Sequence, residues 1–380
     1  AVTALGFNPD LDQFLRCGLG AVDPFAVRGE IERGDTGIVI ARREAGVGEG
    51  KGEAPVTIDR IRTEGEVEYR FTHPDDFREH VRDRKGRSPV PKLVTAKEAV
   101  TAFVADGDYI VYDFSSLTRG PQSLIREVIR QRKKELWIGA EFTLHESPLL
   151  VGAGCATRID VGFLGYGNYI GQAVCDGRVK AYEWTNGGLA LRILAGARGV
   201  PFLPTRDLLG SDNMKVSAAK TITDPYTGDP VCLVPALNPD VAFLHVHQAD
   251  VFGNARIFGT NLFALEAALA SFRVIVSAEE IVETDEFRKD PMRTTIPYFL
   301  VDAVVHAPFG AYPGAMPARY EIDLEHVDRL NAIRTDGQMG KYLEENIYSV
   351  ADHEEFLDRR VGAKRMRELR RRASIIEGYR

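Results

Sequence analysis

The sequence predicts an open, largely parallel α/β sheet with helices on both faces, plus an N-terminal appendage and a helical C-terminal extension. Three observations predict it. Runs such as VAFL (241–244) and VIV (274–276) are continuously apolar, as strands covered on both faces are. These runs alternate with helix-length segments over short connections, the pattern of strand–helix–strand units. The chain has 380 residues of which 44% are apolar, enough for one large core.

Residues 1–92 are charged and irregular and read as the appendage or arm. They hold the strand-like pieces TGIVIA (36–41) and EVEYRFT (66–72), a glycine-rich run over 44–52, and a short polar helix, PDDFREHVRDRK (74–85). Prolines in GRSPVPK (86–92) mark the boundary. Residues 93–323 carry the sheet. TAKEAVTAFVADGD (95–108) has helical spacing, with Thr95 as N-cap and Gly107 as stop. YIVYDF (109–114) follows as a strand, PQSLIREVIRQRKK (121–134) as an amphipathic helix and ELWIGA (135–140) as a strand. RIDVGFLG (158–165), GLALRILAGARG (188–199) and VPFLP (200–204) repeat the alternation. DVAFLHVH (240–247), NLFALEAALASF (261–272), RVIVSAEEIV (273–282) and VDAVVHAP (301–308) complete it, giving about six or seven strands. Residues 324–380 read as charged helices, the extension.

Composition excludes several classes. There are 48 basic and 55 acidic residues, a net charge of −7, so a general nucleic-acid binder is not expected. The basic stretch after Asp358 reads as a solvated helix or a subunit contact. Cys17, Cys155, Cys175 and Cys232 are far apart without a C-x-x-C pair, as free thiols of a reducing compartment are. No uncharged apolar stretch approaches the ~20 residues a membrane helix needs. The opening AVTALGFNPDLDQFLR is not a secretory signal. The expectation is a cytoplasmic protein, with neither membrane nor nucleic acid as partner.

No G-x-G-x-x-G, Walker A or G-x-S-x-G pattern occurs where an α/β unit would need it. His245 and His247 share one face of a strand. They form a metal pair or hydrogen-bonded histidines, and without a third ligand at a recognisable spacing no metal is expected. Four loops at strand ends offer chemistry. Residues 114–120 supply hydroxyls and Arg119 before a helix, where anions are favoured. Residues 141–148 bring Glu141, His145 and Glu146 together, for acid–base work or as a surface loop. In residues 183–188 the small ones, such as Gly187 and Gly188, would let a ligand approach backbone N–H groups. Residues 248–255 contain Asp-x-x-Gly-Asn, a good turn on its own.

The order of these segments resembles family I coenzyme A transferases, specifically the A (alpha) subunit of glutaconate CoA-transferase and its relatives. VTAKEAVTAFVADGDYI, RVKAY (178–182), GVPFLPTRDLLGSD (199–212), VAFLHVHQADVFGNARIFG (241–259), SAEEIV (277–282), RKDP (288–291), IPYFLVDAVVHAPFGAYP (296–313) and DHEEFLDRRVGAKR (352–365) carry the resemblance. It covers residues from about 93 to 365.

The resemblance implies an enzyme that moves CoA from an acyl-CoA to a carboxylic acid. A glutamate attacks the thioester to give an acyl-glutamyl anhydride, and CoA then forms a glutamyl thioester. That glutamate belongs to a B-type half, in a Ser-Glu-Asn-Gly-like turn. Trp184-Thr185-Asn186-Gly187 is the matching stretch here, with threonine in the glutamate's place. A partner B (beta) subunit would then supply the nucleophile, in a hetero-oligomer such as α2β2 or larger. Glu183, two residues off, is the alternative. Tyr112-Asp113-Phe114 stands where the family's alpha subunits carry Gly-Gly-Phe. The residues expected near substrate are Phe114, Ser115, Arg119, Thr185, Asn186, Gln248 and Asn254, with Arg119 on a substrate carboxylate and Asn186 toward the thioester carbonyl. His145 and Glu141 become catalytic if the reaction is instead hydrolysis (ring opening) or decarboxylation of a CoA thioester, as in some relatives. A ligand-binding subunit without chemistry is a further alternative.

Overall fold

The computed structural model describes residues 60–64, 67–112, 117–142, 145–164 and 168–374. The strand-like piece at 36–41, the glycine-rich run at 44–52, Phe114 and Ser115 lie outside the described residues.

In chain order the elements are β1 (Ile61–Glu64), β2 (Val67–Arg70), α1 (Pro74–Asp83), β3 (Leu93–Val94), α2 (Ala96–Phe103), β4 (Tyr109–Tyr112), α3 (Gln122–Arg130) and β5 (Leu136–Phe142). Then come α4 (Glu146–Gly152), β6 (Ala156–Phe163), α5 (Asn168–Cys175), β7 (Lys180–Glu183), α6 (Asn186–Arg198), β8 (Phe202–Thr205), β9 (Lys220–Thr223) and β10 (Pro230–Pro235). The chain continues with β11 (Val241–Ala249), β12 (Ala255–Arg256), α7 (Ala264–Ala270), β13 (Arg273–Ile281), α8 (Thr284–Lys289) and β14 (Ala303–His306). The helices α9 (Leu324–Asn331), α10 (Asp336–Leu343), α11 (His353–Phe356) and α12 (Gly362–Arg372) form the C-terminal part.

The main sheet has nine strands in the order β3-β14-β13-β11-β4-β5-β6-β7, with β12 paired to β11. Every pair along that path is parallel, and only β12 runs antiparallel. Side chains of a strand alternate between faces, and here both faces are apolar. Ile110, Ile138, Val241, Phe243 and Ile275 pack in one core with residues of α2, α3, α4, α5, α9 and α10. Tyr109, Val111, Ala242, Leu244 and Val246 pack in the other with Leu189 and Ile193 of α6 and Ala264, Ala267 and Ala268 of α7. That two-sided burial is why these strands read as continuous apolar runs.

Local chemistry sets several boundaries as the sequence predicts. The Thr95 side chain accepts from Glu98 N at 3.1 Å while Glu98 Oε2 accepts from Thr95 N at 2.9 Å, a complete capping box. Gly107 follows at φ 74. Two expectations are corrected. VPFLP gives β8, but β8 lies outside the parallel sheet, in a separate three-stranded antiparallel sheet ordered β8-β10-β9. Its residues alternate between exposed and half-buried, so one face is bare and no second helix layer covers it. The described residues of 141–148 do not form a surface loop. Glu141 belongs to β5, His145 precedes α4, and Glu141, His145, Glu146 and Ser147 are all buried. The Ser-Pro pair in ESPLLVG hides α4 from a sequence reading, although proline is well tolerated in a first turn. β3, β7, β9, β10, β12 and α5 are further elements that the pattern of apolar runs does not reveal.

The described part of residues 60–92 is tied to the sheet by buried charge. Arg60 and Arg70 both pair with Asp240, whose Oδ2 also accepts from Tyr109 N at 2.8 Å. Arg192 on α6 donates to Asp160 Oδ2 at 2.5 Å and to Arg70 O at 2.8 Å. The C-terminal helices close a third cluster, in which Phe309, Tyr312, Met316 and Tyr320 pack against Val350, Phe356 and Leu369. Arg365 braces it from α12, donating to Asp323 Oδ1 at 2.6 Å. Among the described residues no helix is long and apolar enough to cross a membrane.

Candidate functional site

From β4 the chain proceeds to one side through β5, β6 and β7, then returns to place β11, β13 and β14 on the other side. The boundary between β4 and β11 is therefore a topological switch point. In open α/β sheets ligands bind outside the carboxyl ends of strands at such a point, where connections diverge and leave a crevice. Among the described residues, 117–120 after β4 and Asp250 to Asn254 after β11 border it, and His145 to Ser147 at the start of α4 follow β5 beside them.

Arg119 lies at the switch point, fully buried, with a left-handed backbone at φ 55. Its N–H donates to Ala315 O at 2.9 Å, and Ala315 N returns a bond to Leu117 O at 2.8 Å. The segment 309–320 therefore holds the Arg119 loop from behind. That segment is anchored by Glu279, which sequence reasoning missed. Glu279 Oε1 accepts from Tyr320 OH at 2.6 Å, from His245 Nε2 at 2.8 Å and from Gly310 N at 3.2 Å. Its Oε2 accepts from Phe309 N at 2.9 Å. Burial alone would raise this carboxyl, but the bonds from His245 and Tyr320 hold it below the ordinary carboxylate value.

His245 and His247 do share a face, and protein groups occupy them. His245 Nδ1 is 2.9 Å from Ser277 Oγ. His247 Nδ1 accepts from Phe258 N at 3.0 Å, so Nε2 carries the proton and donates to Pro317 O at 2.8 Å. Both nitrogens of His247 are thus committed away from a metal.

On the β5 side His145 is 2% exposed, and burial pushes its imidazole down to about 4. Burial acts the other way on Glu146, pushing its carboxyl up to about 7. Tyr112 OH at the end of β4 bonds Ser147 Oγ at 2.7 Å, joining the two sides of this crevice. Glu141 meets another candidate at Gly162 of β6. A Cβ there would collide with Asn186 Oδ1 and would press within 3.0 Å of Glu141 O. Only glycine lets Asn186, the first residue of α6, settle so closely on the sheet.

Thr185 is the N-cap of α6. Its Oγ1 accepts from Gly188 N at 2.8 Å and lies 3.4 Å from Asp207 Oδ2. Glu183 is half-buried at the edge strand β7, where burial raises its carboxyl. Beyond β11, Gln248 Nε2 donates to Glu280 Oε2 at 3.0 Å, and Arg319 reaches the same oxygen at 2.8 Å. Asn254 spends its amide on the turn, donating to Asp250 Oδ2 at 2.7 Å and accepting from Tyr298 N at 3.2 Å. The structure thus brings the Arg119–Gly120 loop against Glu146 at the carboxyl ends of β4 and β5, next to the switch point, with His145 beside them at the start of α4. Glu141, Thr185 and Asn186 group at β6 and α6. Gln248 and Asn254 sit beyond β11, hydrogen-bonded within the chain.

The described chain is thus an open parallel α/β sheet with buried polar side chains next to its switch point. Comparison with known proteins makes the class specific. Residues 93–307 match the family model described as Coenzyme A transferase. This chain belongs to the coenzyme A transferase family. It is 43% identical over 313 residues to an uncharacterized protein of Archaeoglobus fulgidus, covering 80% of this chain and 70% of the relative. It is 34% identical to the A-type subunit of 3-oxoadipate CoA-transferase of Pseudomonas knackmussii, over 70% of this chain and 96% of that one. It is 31% identical to the IpdA subunit of the cholesterol ring-cleaving hydrolase of Mycobacterium tuberculosis, over 59% of this chain and 82% of that one. The crystal structure of glutaconate coenzyme A-transferase from Acidaminococcus fermentans superposes with a TM-score of 0.70 at 26% identity, covering 73% of this chain and 95% of that chain.

Proposed function

We propose that this chain is the A-type subunit of a two-subunit CoA-transferase that moves CoA between an acyl-CoA and a carboxylic acid, with the nucleophilic glutamate on a B-type partner. One observation carries the assignment of the nucleophile. Position 185 is a threonine whose hydroxyl caps α6, and a threonine cannot form the carboxylate-derived anhydride that the transfer needs. In this reading the partner's carboxylate attacks the thioester carbonyl and the CoA thiolate leaves. The thiolate then attacks the glutamyl carbonyl of the anhydride and releases the acid. In the same reading Arg119 pairs with a substrate carboxylate and Asn186 orients the thioester carbonyl.

The test is to co-produce the chain with its B-type partner, incubate with a panel of acyl-CoAs, trap with hydroxylamine or borohydride and map the modified peptide by mass spectrometry. The expected label lies on a glutamate of the partner and on none in this chain. A label on Glu183 would overturn the assignment. The Thr185→Ala variant should lose about 1 kcal/mol of stability, the ordinary cost of a lost N-cap, read as a lower urea midpoint. It should keep the label on the partner.

A second reading is hydrolysis or decarboxylation of a CoA thioester. The observation that favours it is the buried imidazole of His145 beside the buried carboxyl of Glu146 at the switch-point crevice, both neutral forms favoured by burial. It predicts CoA-ester consumption without an acceptor acid and without any labelled glutamate.

A further inference from the structure

Glu146 is the first residue of α4 and only 3% exposed. A buried carboxyl is costly unless its oxygens are satisfied. Here Oε1 accepts from Gln122 Nε2 on α3 at 3.0 Å, and the carboxyl also takes the backbone N–H groups of His145 and Glu146. Gly120 lies against the same oxygen, because a Cβ at that position would overlap Glu146 Oε1. Gly120 directly follows Arg119, which is bonded on its other side to Ala315. The carboxyl therefore touches the Arg119 loop, the start of α3 and the start of α4 at once. No apolar side chain of that size could accept from α3 and from the α4 amides together.

We propose that Glu146 is a positioning residue that fastens the Arg119 loop to the start of α4 and so sets the affinity of the crevice for a CoA ester. This rests on the reading that substrate enters at the switch point. Gly120 is the second half of the device, since its missing Cβ is the space the carboxyl fills. Burial pushes Glu146 up to about 7, so glutamine, which keeps the acceptor for Gln122, reproduces the neutral form that this pocket favours.

The experiment compares wild type, Glu146→Gln, Glu146→Ala, Gln122→Ala, Gly120→Ala and the Gly120→Ala/Glu146→Ala double variant, each co-produced with the B-type partner. Amide hydrogen exchange is read across the chain, and dissociation constants for a panel of acyl-CoAs are measured. Glu146→Ala should speed exchange over 117–122 about tenfold while β11 and β13 amides keep their wild-type rates, the mark of local opening. The dissociation constant should rise about fivefold, near 1 kcal/mol. Gln122→Ala and Gly120→Ala should reproduce both effects, Glu146→Gln should stay within about threefold of wild type, and the double variant should be no worse than either single one. Unchanged exchange over 117–122, equal acceleration in β11 and β13, or unchanged affinity in Glu146→Ala would each overturn the proposal. If wild type itself binds no acyl-CoA, the functional reading fails. The exchange rates still decide whether Glu146 fastens the loop.

Discussion

Replacing Glu279 by alanine should cost on the order of 3–5 kcal/mol and abolish turnover even in the fraction that folds. The reasoning starts from what the carboxylate satisfies. Four donors converge on it: Tyr320 OH, His245 Nε2, Phe309 N and Gly310 N. Its side chain is 8% exposed, so water does not replace the lost acceptor freely. Each buried donor left unpaired costs about 1–3 kcal/mol, and several of these four lose their acceptor at once. The functional loss follows from connectivity. Ser123 N at the start of α3 donates to Gly310 O at 3.0 Å, and Arg119 N donates to Ala315 O. Releasing the segment 309–320 therefore releases the crevice. Urea unfolding measures the first effect and CoA-ester consumption by the co-produced pair measures the second. A variant with the wild-type midpoint would show that Glu279 is not an anchor.

Acidification should destabilise the protein from about pH 6.5 downward. His145, His247 and His326 are at most 3% exposed. Burial pushes them down to about 4, 4 and 3. His353, held between Arg126 Nη2 and Pro308 O, is pushed down to about 3 by burial. The folded state keeps these imidazoles neutral. The unfolded chain takes up their protons as pH falls through about 6.5. Stability from these groups is thus complete above about 6.5 and is lost progressively as pH falls toward their folded values, at about 1.4 kcal/mol per proton per pH unit. Glu146 opposes this. Its carboxyl is raised to about 7, so the folded state holds an extra proton between roughly 4.5 and 7, and its contribution is lost as pH rises. Burial raises the carboxyls of Glu183 and Asp160 in the same sense, but the buried histidines together with the carboxyls held low at Glu279 and Asp323 outweigh them and leave a net loss toward acid. The melting temperature should fall by roughly 5–10 °C between pH 7 and pH 5. Differential scanning calorimetry in matched ionic strength checks it, and a flat profile would mean that these imidazoles are not buried neutral.

Much of the fold was legible because it is written in local periodicity. Thr95 with Glu98 three residues on announces the start of α2, and the capping box is there. The apolar runs of β11 and β13 announce central strands, and they pair in register from Val241 with Arg273 to Ala249 with Ile281. The sheet that β8 joins is not legible, because the four residues of FLPT carry no signal for their partner strand. The helix α4 escapes a sequence reading because it is short and its carboxyl and imidazole look like surface chemistry.

The candidate site was legible as residue types and not as roles. Gln248 and Asn254 stand out in a turn after a strong strand. Whether their amides face a ligand or the protein depends on Glu280 and Tyr298, 32 and 44 residues away. Glu279 sits in the SAEEIV motif, but its anchoring role is not legible there, since its donors come from β11 and from the segment 309–320.

The sequence by itself determined the family, the two-faced parallel sheet and the threonine at position 185, because composition, period and motif order are properties of the chain alone. Only the tertiary structure decided that the carboxyls of Glu141 and Glu146 and the imidazole of His145 are buried, and that Gly120 and Gly162 mark close approaches. It also decided that Ala315 fastens the Arg119 loop. Burial and hydrogen-bond satisfaction are set by groups far apart in the chain, and no local window contains them.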